Sequence, residues 1–195
     1  MAQFVAYRND VVGNIKLLTP YFNADTRGKE KRLEIFKKHN IDLNRQEIYP
    51  MQTILDCFKD FAQLLGDMNV FLIGRSGAYE MNFPQVINFK EIIEQMNIFY
   101  HMMYKLNDKH MYDAQSKTFT EGIGNYSVLA YDENKKEMIV RCSTPFPSKS
   151  DEGMLTGLFE KYKPAHISKV QVNLDIHQER RSNGADSCTF IVNWK

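Results

Sequence analysis

Apolar residues recur at helical spacing in three clear stretches of this chain. The first begins at Met51 and continues to about residue 65. The second runs from about Phe89 to Leu106 and is apolar around most of its circumference, which predicts a central helix. The third covers residues 154 to 162. A fourth, more polar helix is predicted from about Lys29 to His39, where basic and acidic residues are interleaved.

The hydrophobic period changes to two after Gly124. Residues 125–131 and 136–142 read as two strands joined by a polar turn, which predicts a hairpin. Two further alternating strands are predicted at residues 169–176 and 188–194. Between the helices, residues 71–84 contain Gly74, Gly77 and Pro84, and this composition predicts a loop.

These elements predict an α+β fold with a twisted, mainly antiparallel sheet of about four strands packed with helices. A helical N-terminal region precedes it. We expect residues 1–47 to form a helical extension that is either separate or integral, and residues 48–195 to form an α+β ligand-binding domain.

Composition narrows the classes of function. The chain has 25 basic and 24 acidic residues and a net charge of +1, so no overall field favours nucleic acid or an anionic membrane. Cys57, Cys142 and Cys188 are odd in number and widely spaced, which favours a reducing compartment and predicts a cytoplasmic protein. No run approaches the length of a membrane span and the N-terminus does not resemble a signal peptide.

No catalytic motif is complete in the sequence, so we expect a binding protein rather than an enzyme, although catalytic groups converge in space rather than in sequence. His101, on the central helix beside Met102 and Met103, has the chemistry of a haem ligand. Its spacing places it on the narrow polar strip of this helix, with Glu94 and Lys105. That position instead predicts a histidine that is either exposed or capped.

The C-terminal half carries a family resemblance. The segments PFPSKSDEGMLTGLFEKY and VNLDIHQERRSNGADSCTFIVNW follow a long helix and a glycine-marked hairpin. Over roughly residues 88–195 the chain resembles 4-vinyl reductase domains, which are related to haem-nitric-oxide-binding and Golgi-transport-complex domains. The resemblance implies a sensor or carrier fold, often dimeric, with a pocket between sheet and helices. It also implies a role in bacterial regulators or in tetrapyrrole metabolism.

The resemblance further implies a zinc site near the end of the domain. Ser148 and Arg180 stand where cysteine ligands are expected, and only His177 and Cys188 remain as a doubtful, incomplete metal site. Arg180 is expected either to replace the metal with an ion pair or to bind an anion.

Three hypotheses follow. The first is a sensor for a small apolar or aromatic molecule that signals as a homodimer or through a partner protein. Its pocket would be lined by residues of the central helix and the hairpin, which are Phe99, Tyr100, His101, Met103, Tyr104 and Tyr126. The second is a haem or tetrapyrrole carrier or accessory factor. The third is a non-enzymatic assembly subunit with an exposed apolar patch.

Overall fold

A computed structural model describes residues 3–23, 28–43, 47–84, 86 and 88–195 of the chain. The elements before residue 85 are β1 (Val11–Asn14), a 3-10 turn (Ile15–Leu18), α1 (Thr19–Asn23), α2 (Lys29–Lys38), β2 (Ile48–Pro50), α3 (Met51–Leu65) and α4 (Asp67–Glu80). Those after residue 88 are α5 (Phe89–Met102), β3 (Tyr104–Leu106), β4 (Lys109–His110), β5 (Tyr112–Asp113), β6 (Thr118–Phe119), β7 (Tyr126–Asp132), β8 (Glu137–Cys142), α6 (Ser148–Tyr162), β9 (Val170–Leu174), a 3-10 turn (Arg181–Asn183) and β10 (Cys188–Trp194).

The main sheet is antiparallel, with the strand order β7-β8-β10-β9. Cys142 of β8 lies opposite Tyr126 on one side and Cys188 on the other, so the three side chains share one face. This face is buried and carries Met138, Val140, Phe190, Val192 and Trp194. Helices α5 and α6 contact the edge strands β7 and β9. The predicted α+β fold with an antiparallel sheet of about four strands is therefore confirmed.

A second antiparallel sheet, which the sequence did not predict, has the order β2-β1-β3-β4 in the described part of the chain. Its pairing of β1 with β3 places Gly13 opposite Tyr104. A Cβ atom at Gly13 would lie 2.8 Å from the Tyr104 ring, so glycine permits this approach. Because β3 pairs here, the central helix ends at Met102 and not at the predicted Leu106. The division of the chain near residue 47 stays a prediction.

The prediction of a loop at residues 71–84 was wrong for most of that segment, because α4 continues to Glu80. Its glycines lie against α6. A Cβ atom at Gly74 would lie 2.6 Å from the Ser150 carbonyl oxygen, and one at Gly153 would lie 2.1 Å from that of Phe71. Glycine therefore lets the two backbones meet, and the packing outweighs its low helix propensity.

No helix among the described residues is both long and apolar enough to span a membrane.

Candidate functional site

A cavity of about 480 Å³ lies between α4, α5, α6 and the segment Lys16–Tyr21. This volume is within the range of small-molecule pockets in proteins. Exposed Lys16, Glu80 and Asn82 lie at one end, which we take as the opening. Buried Tyr21, Tyr100, Tyr126 and Ser150 lie at the other and form the inner wall.

Aromatic rings and thioethers are the main components of the lining. Aromatic residues and methionines make up about half of it, and these are Tyr21, Phe58, Met81, Met96, Phe99, Tyr100, Met103, Tyr126, Phe146 and Met154. Several rings meet edge to face: the centroids of Tyr100 and Tyr126 are 5.4 Å apart, and those of Tyr21 and Phe58 are 4.4 Å apart. Such contacts fix the rings, whereas methionine side chains adapt to the shape of a ligand.

Helix α5 supplies one wall of the cavity. Its N-terminus is capped by Asn88, whose side-chain oxygen accepts a hydrogen bond from the Glu91 backbone N–H at 3.1 Å. From this start, Met96, Phe99, Tyr100 and Met103 fall on one face at spacings of three and four residues. The local sequence therefore determines which side of the helix faces the cavity.

The structure brings four of the six residues predicted to bind a ligand to the cavity wall: Phe99, Tyr100, Met103 and Tyr126. Tyr104 is fully buried in β3 behind Tyr100, with the two ring centroids 5.2 Å apart, and does not line the cavity. His101 does not line it either. The binding role of these residues stays a prediction.

His101 is 3 % exposed, so the exposed alternative of the prediction was wrong. Its Nδ1 donates to the Asn97 carbonyl oxygen at 2.8 Å, and its ring lies 4.7 Å from that of Phe119 in β6. The β5–β6 hairpin thus covers the His101 end of the polar strip, whereas Glu94 of the same strip is exposed.

The lining does not fit a haem group. Haem iron is held by histidine, cysteine, tyrosine, or methionine opposite histidine. Among the described residues that line the cavity there is no histidine or cysteine. A tyrosine ligand must lose its proton, but burial raises the pKa of Tyr100 and of Tyr126 well above the ordinary value.

We expect His101 to make stability pH-dependent. Burial lowers its pKa, although the Asn97 carbonyl and Glu121 oppose this effect, so folding favours the neutral ring. This stability is complete above the ordinary pKa and is lost as the pH falls through the lowered one. From about pH 7 to about pH 5 the free energy of unfolding should therefore fall more steeply in the wild type than in His101→Gln. Urea unfolding at each pH measures this slope, and the exposed His110→Gln is the control. Equal slopes for wild type and His101→Gln would contradict the prediction.

A buried polar network lies directly behind the inner wall. The Tyr126 hydroxyl donates to Asp151 Oδ1 at 2.9 Å, and the Thr144 hydroxyl donates to Asp151 Oδ2 at 3.2 Å. Arg181 forms an ion pair with the same Asp151 carboxylate, and both side chains are fully buried. Burial raises the pKa of Asp151, but Arg181 and the two hydroxyl donors oppose this effect. Because its partners all donate, Asp151 is an ionised acceptor.

Arg181 was missed by sequence analysis, which assigned the ion pair to its neighbour Arg180. Arg181 also donates from Nη1 to the Cys142 carbonyl oxygen at 3.2 Å and to the Thr144 hydroxyl at 2.9 Å. The charges in the segment 179–181 gave no signal as to which one is buried. Arg181 is the first residue of the 3-10 turn Arg181–Asn183, and its contacts are with residues of β8 and α6 that are distant in sequence.

The two residues predicted to ligate zinc lie in different surroundings. His177 is exposed, and Cys188 is fully buried with its Sγ 2.9 Å from the Ser148 hydroxyl. Among the described residues, no three histidine, cysteine, aspartate or glutamate side chains are placed to hold a metal ion together. The lone buried thiol and the exposed imidazole provide no metal centre in this part of the chain.

Comparison with known proteins gives a fold but no close relative. No family model matches the chain. No curated protein matches it either.

Solved structures do match along nearly the full length. An H-NOX protein from S. oneidensis in the Fe(II) ligation state is 15% identical, with 93% of this chain and 94% of that chain covered and a TM-score of 0.55. The H-NOX domain from Shewanella oneidensis in the Fe(II)CO state is 16% identical, with 94% and 98% covered and a TM-score of 0.55. A structure from work on H-NOX activation is 13% identical, with 94% and 96% covered and a TM-score of 0.57.

This similarity extends across both halves of the chain, including the N-terminal segment that the sequence resemblance did not cover. The expected relation to haem-nitric-oxide-binding domains is thereby confirmed as a relation of fold, whereas the relation to 4-vinyl reductase domains stays a prediction. The chain has the fold of H-NOX domains.

Proposed function

We propose that this protein is a receptor or carrier for a small apolar or aromatic molecule, which it binds in the cavity without a bond to iron. The observation that carries the proposal is a cavity of about 480 Å³ with a mainly aromatic and methionine lining. Burial of apolar ligand surface against such walls is the main source of affinity in small-molecule pockets.

The surroundings of the cavity support a neutral ligand. Lys16 and Glu80 are the two charged side chains among the described residues that line it, and they are both exposed and opposite in sign. The tyrosines of the inner wall keep their protons, because burial raises the pKa of each. An ionised group at the inner wall would therefore lose its hydration without gaining a counter-ion.

The similar structures include an H-NOX protein in an Fe(II) ligation state and one from work on H-NOX activation, and this favours a ligand-responsive role for the same fold here. For this chain we extend the proposal to signalling through a homodimer or a partner protein in the cytoplasm. Its three cysteines are free and buried, as expected in a reducing compartment. A haem or tetrapyrrole carrier is the less favoured alternative, since the described residues of the lining offer no imidazole or thiolate.

Binding of diphenylmethane, a neutral aromatic hydrocarbon of suitable size, tests the proposal. We expect saturable one-to-one binding, followed by NMR of the methionine methyl groups. Met103→Trp should weaken it by about tenfold or more, equivalent to about 1.4 kcal/mol, because the indole ring fills part of the cavity. The matched control is Met102→Trp, since Met102 is its neighbour on α5 but is 39% exposed and does not line the cavity.

Native mass spectrometry of freshly purified protein complements this titration. A co-purified apolar molecule that is lost in Met103→Trp but kept in Met102→Trp would support the proposal and identify the ligand. If diphenylmethane does not bind, or if both variants bind it as the wild type does, the cavity is not a binding site. The assembly-subunit hypothesis would then be favoured.

A further inference from the structure

Two buried hydroxyl groups meet at the inner wall of the cavity. The Tyr21 hydroxyl of α1 and the Ser150 Oγ of α6 are 3.1 Å apart, and both residues line the cavity. Tyr21 is 3% exposed and Ser150 is 8% exposed, so neither hydroxyl is hydrated as a surface group is. Because these helices are far apart in sequence, the pair exists only in the folded protein.

The pair has one more hydrogen-bond donor than it has acceptors for. Each hydroxyl has a single O–H, and one of the two donates to the other oxygen. Whichever hydroxyl is the donor, the proton of the other has no acceptor among the described residues. A buried donor without a partner destabilises the folded protein, so an acceptor at this position would be favourable.

The other buried tyrosine hydroxyls that line the cavity do not share this property. Tyr100 donates to the Ile123 carbonyl oxygen at 2.6 Å, and Tyr126 donates to Asp151. On α6 itself, the Thr156 hydroxyl donates to the Glu152 carbonyl oxygen at 2.7 Å, the usual local bond of a helical serine or threonine. Ser150 instead points to Tyr21, so its hydroxyl takes part in the cavity wall.

The electrostatics at this position select against an anion. Arg181, the buried cation behind the inner wall, is already paired with Asp151. Burial raises the pKa of Tyr21, the Ser150 hydroxyl opposes this, and the negative charge of Asp151 adds to it. A carboxylate ligand would meet the same repulsion as the tyrosinate, whereas a neutral carbonyl or ether oxygen would accept the unused proton without that penalty.

We propose that the ligand of the cavity carries a neutral oxygen acceptor, such as a ketone, aldehyde or ester carbonyl, that binds the Tyr21–Ser150 hydroxyl pair while its apolar body fills the remaining cavity. This inference rests on the proposed binding function and adds the chemical class of the ligand. It assigns Tyr21 and Ser150 as residues that determine specificity, a role that the pattern of the sequence did not indicate.

Benzophenone and diphenylmethane test this inference, because they share size and shape and differ in one carbonyl oxygen. Dissociation constants for both are measured by methionine-methyl NMR on wild type and on Tyr21→Phe/Ser150→Ala. The double variant is needed because either hydroxyl alone could still donate. We expect its preference for benzophenone over diphenylmethane to be about fivefold lower than that of the wild type, as for loss of one hydrogen bond. Its affinity for diphenylmethane should be unchanged, which shows that the cavity is intact.

The control is Ser76→Ala/Tyr79→Phe, which removes the same two hydroxyl types from the exposed side of α4 and should leave both dissociation constants as in the wild type. An unchanged preference in Tyr21→Phe/Ser150→Ala would overturn the inference while leaving the proposed function in place. Failure of the wild type to bind either probe would overturn the proposed function, and the inference with it.

Discussion

Replacing Arg181 with methionine is expected to lower the free energy of unfolding by about 3–5 kcal/mol. The side chain is fully buried and forms an ion pair with the equally buried Asp151. Removal of the guanidinium leaves a carboxylate in the interior with only hydroxyl donors around it. The loss would be a large part of the total stability of a domain of this size, which is about 5–15 kcal/mol.

Urea unfolding of wild type and variant measures this effect. The matched control is Arg180→Met, which removes the same group from the adjacent position and should change stability by no more than about 0.5 kcal/mol. In Asp151→Leu/Arg181→Met part of the loss should be recovered, because no unpaired charge stays buried. A change below about 1 kcal/mol in Arg181→Met would contradict the structure of this network.

Gly153→Ala is expected to destabilise the protein by about 1–3 kcal/mol, although alanine is the better helix former. A Cβ atom at this position would lie 2.1 Å from the Phe71 carbonyl oxygen and 3.0 Å from the Arg75 backbone nitrogen. Both atoms belong to the backbone of α4, so a change of side-chain rotamer cannot relieve the contact. The two helices must instead move apart.

The same urea measurement tests this prediction, with Ser76→Ala as the control. Ser76 is an exposed position of α4, where alanine is expected to be neutral or slightly stabilising. Because Ile73 of α4 and Met154 of α6 both line the cavity, Gly153→Ala should also alter diphenylmethane binding. A variant as stable as the wild type would show that the helices are farther apart than described.

The similarity to H-NOX domains describes the fold of this chain, whereas the chemistry of the cavity bears on which ligand it binds. The fold is shared over more than nine-tenths of the chain at 13–16% identity. Within the described residues, the lining of the cavity has methionines and aromatic rings but no imidazole. Since unrelated ligands are bound by proteins of one fold, the lining decides the proposed ligand and the fold does not.

The sequence alone was sufficient to predict the helices and strands that have a regular hydrophobic pattern of their own. The stripe beginning at Met51 gave α3, and the change to a two-residue period gave β7, β8, β9 and β10. It also placed Phe99, Tyr100, Met103 and Tyr126 among the predicted ligand-binding residues, and all four line the cavity. These predictions succeed because one buried face imposes a period on its own element, whatever it packs against.

Other features depend on contacts between residues that are distant in sequence, and these are seen only in the tertiary structure. Composition suggests a loop around Gly74 and Gly77, but close packing on α6 makes this segment a helix. The helical pattern places His101 on a polar strip, but the β5–β6 hairpin buries it. Likewise, Arg181 rather than Arg180 reaches Asp151, and Tyr21 meets Ser150, because the fold brings them together. Burial and pairing of polar groups are properties of the assembled core, and hydrophobic periodicity along the chain does not encode them.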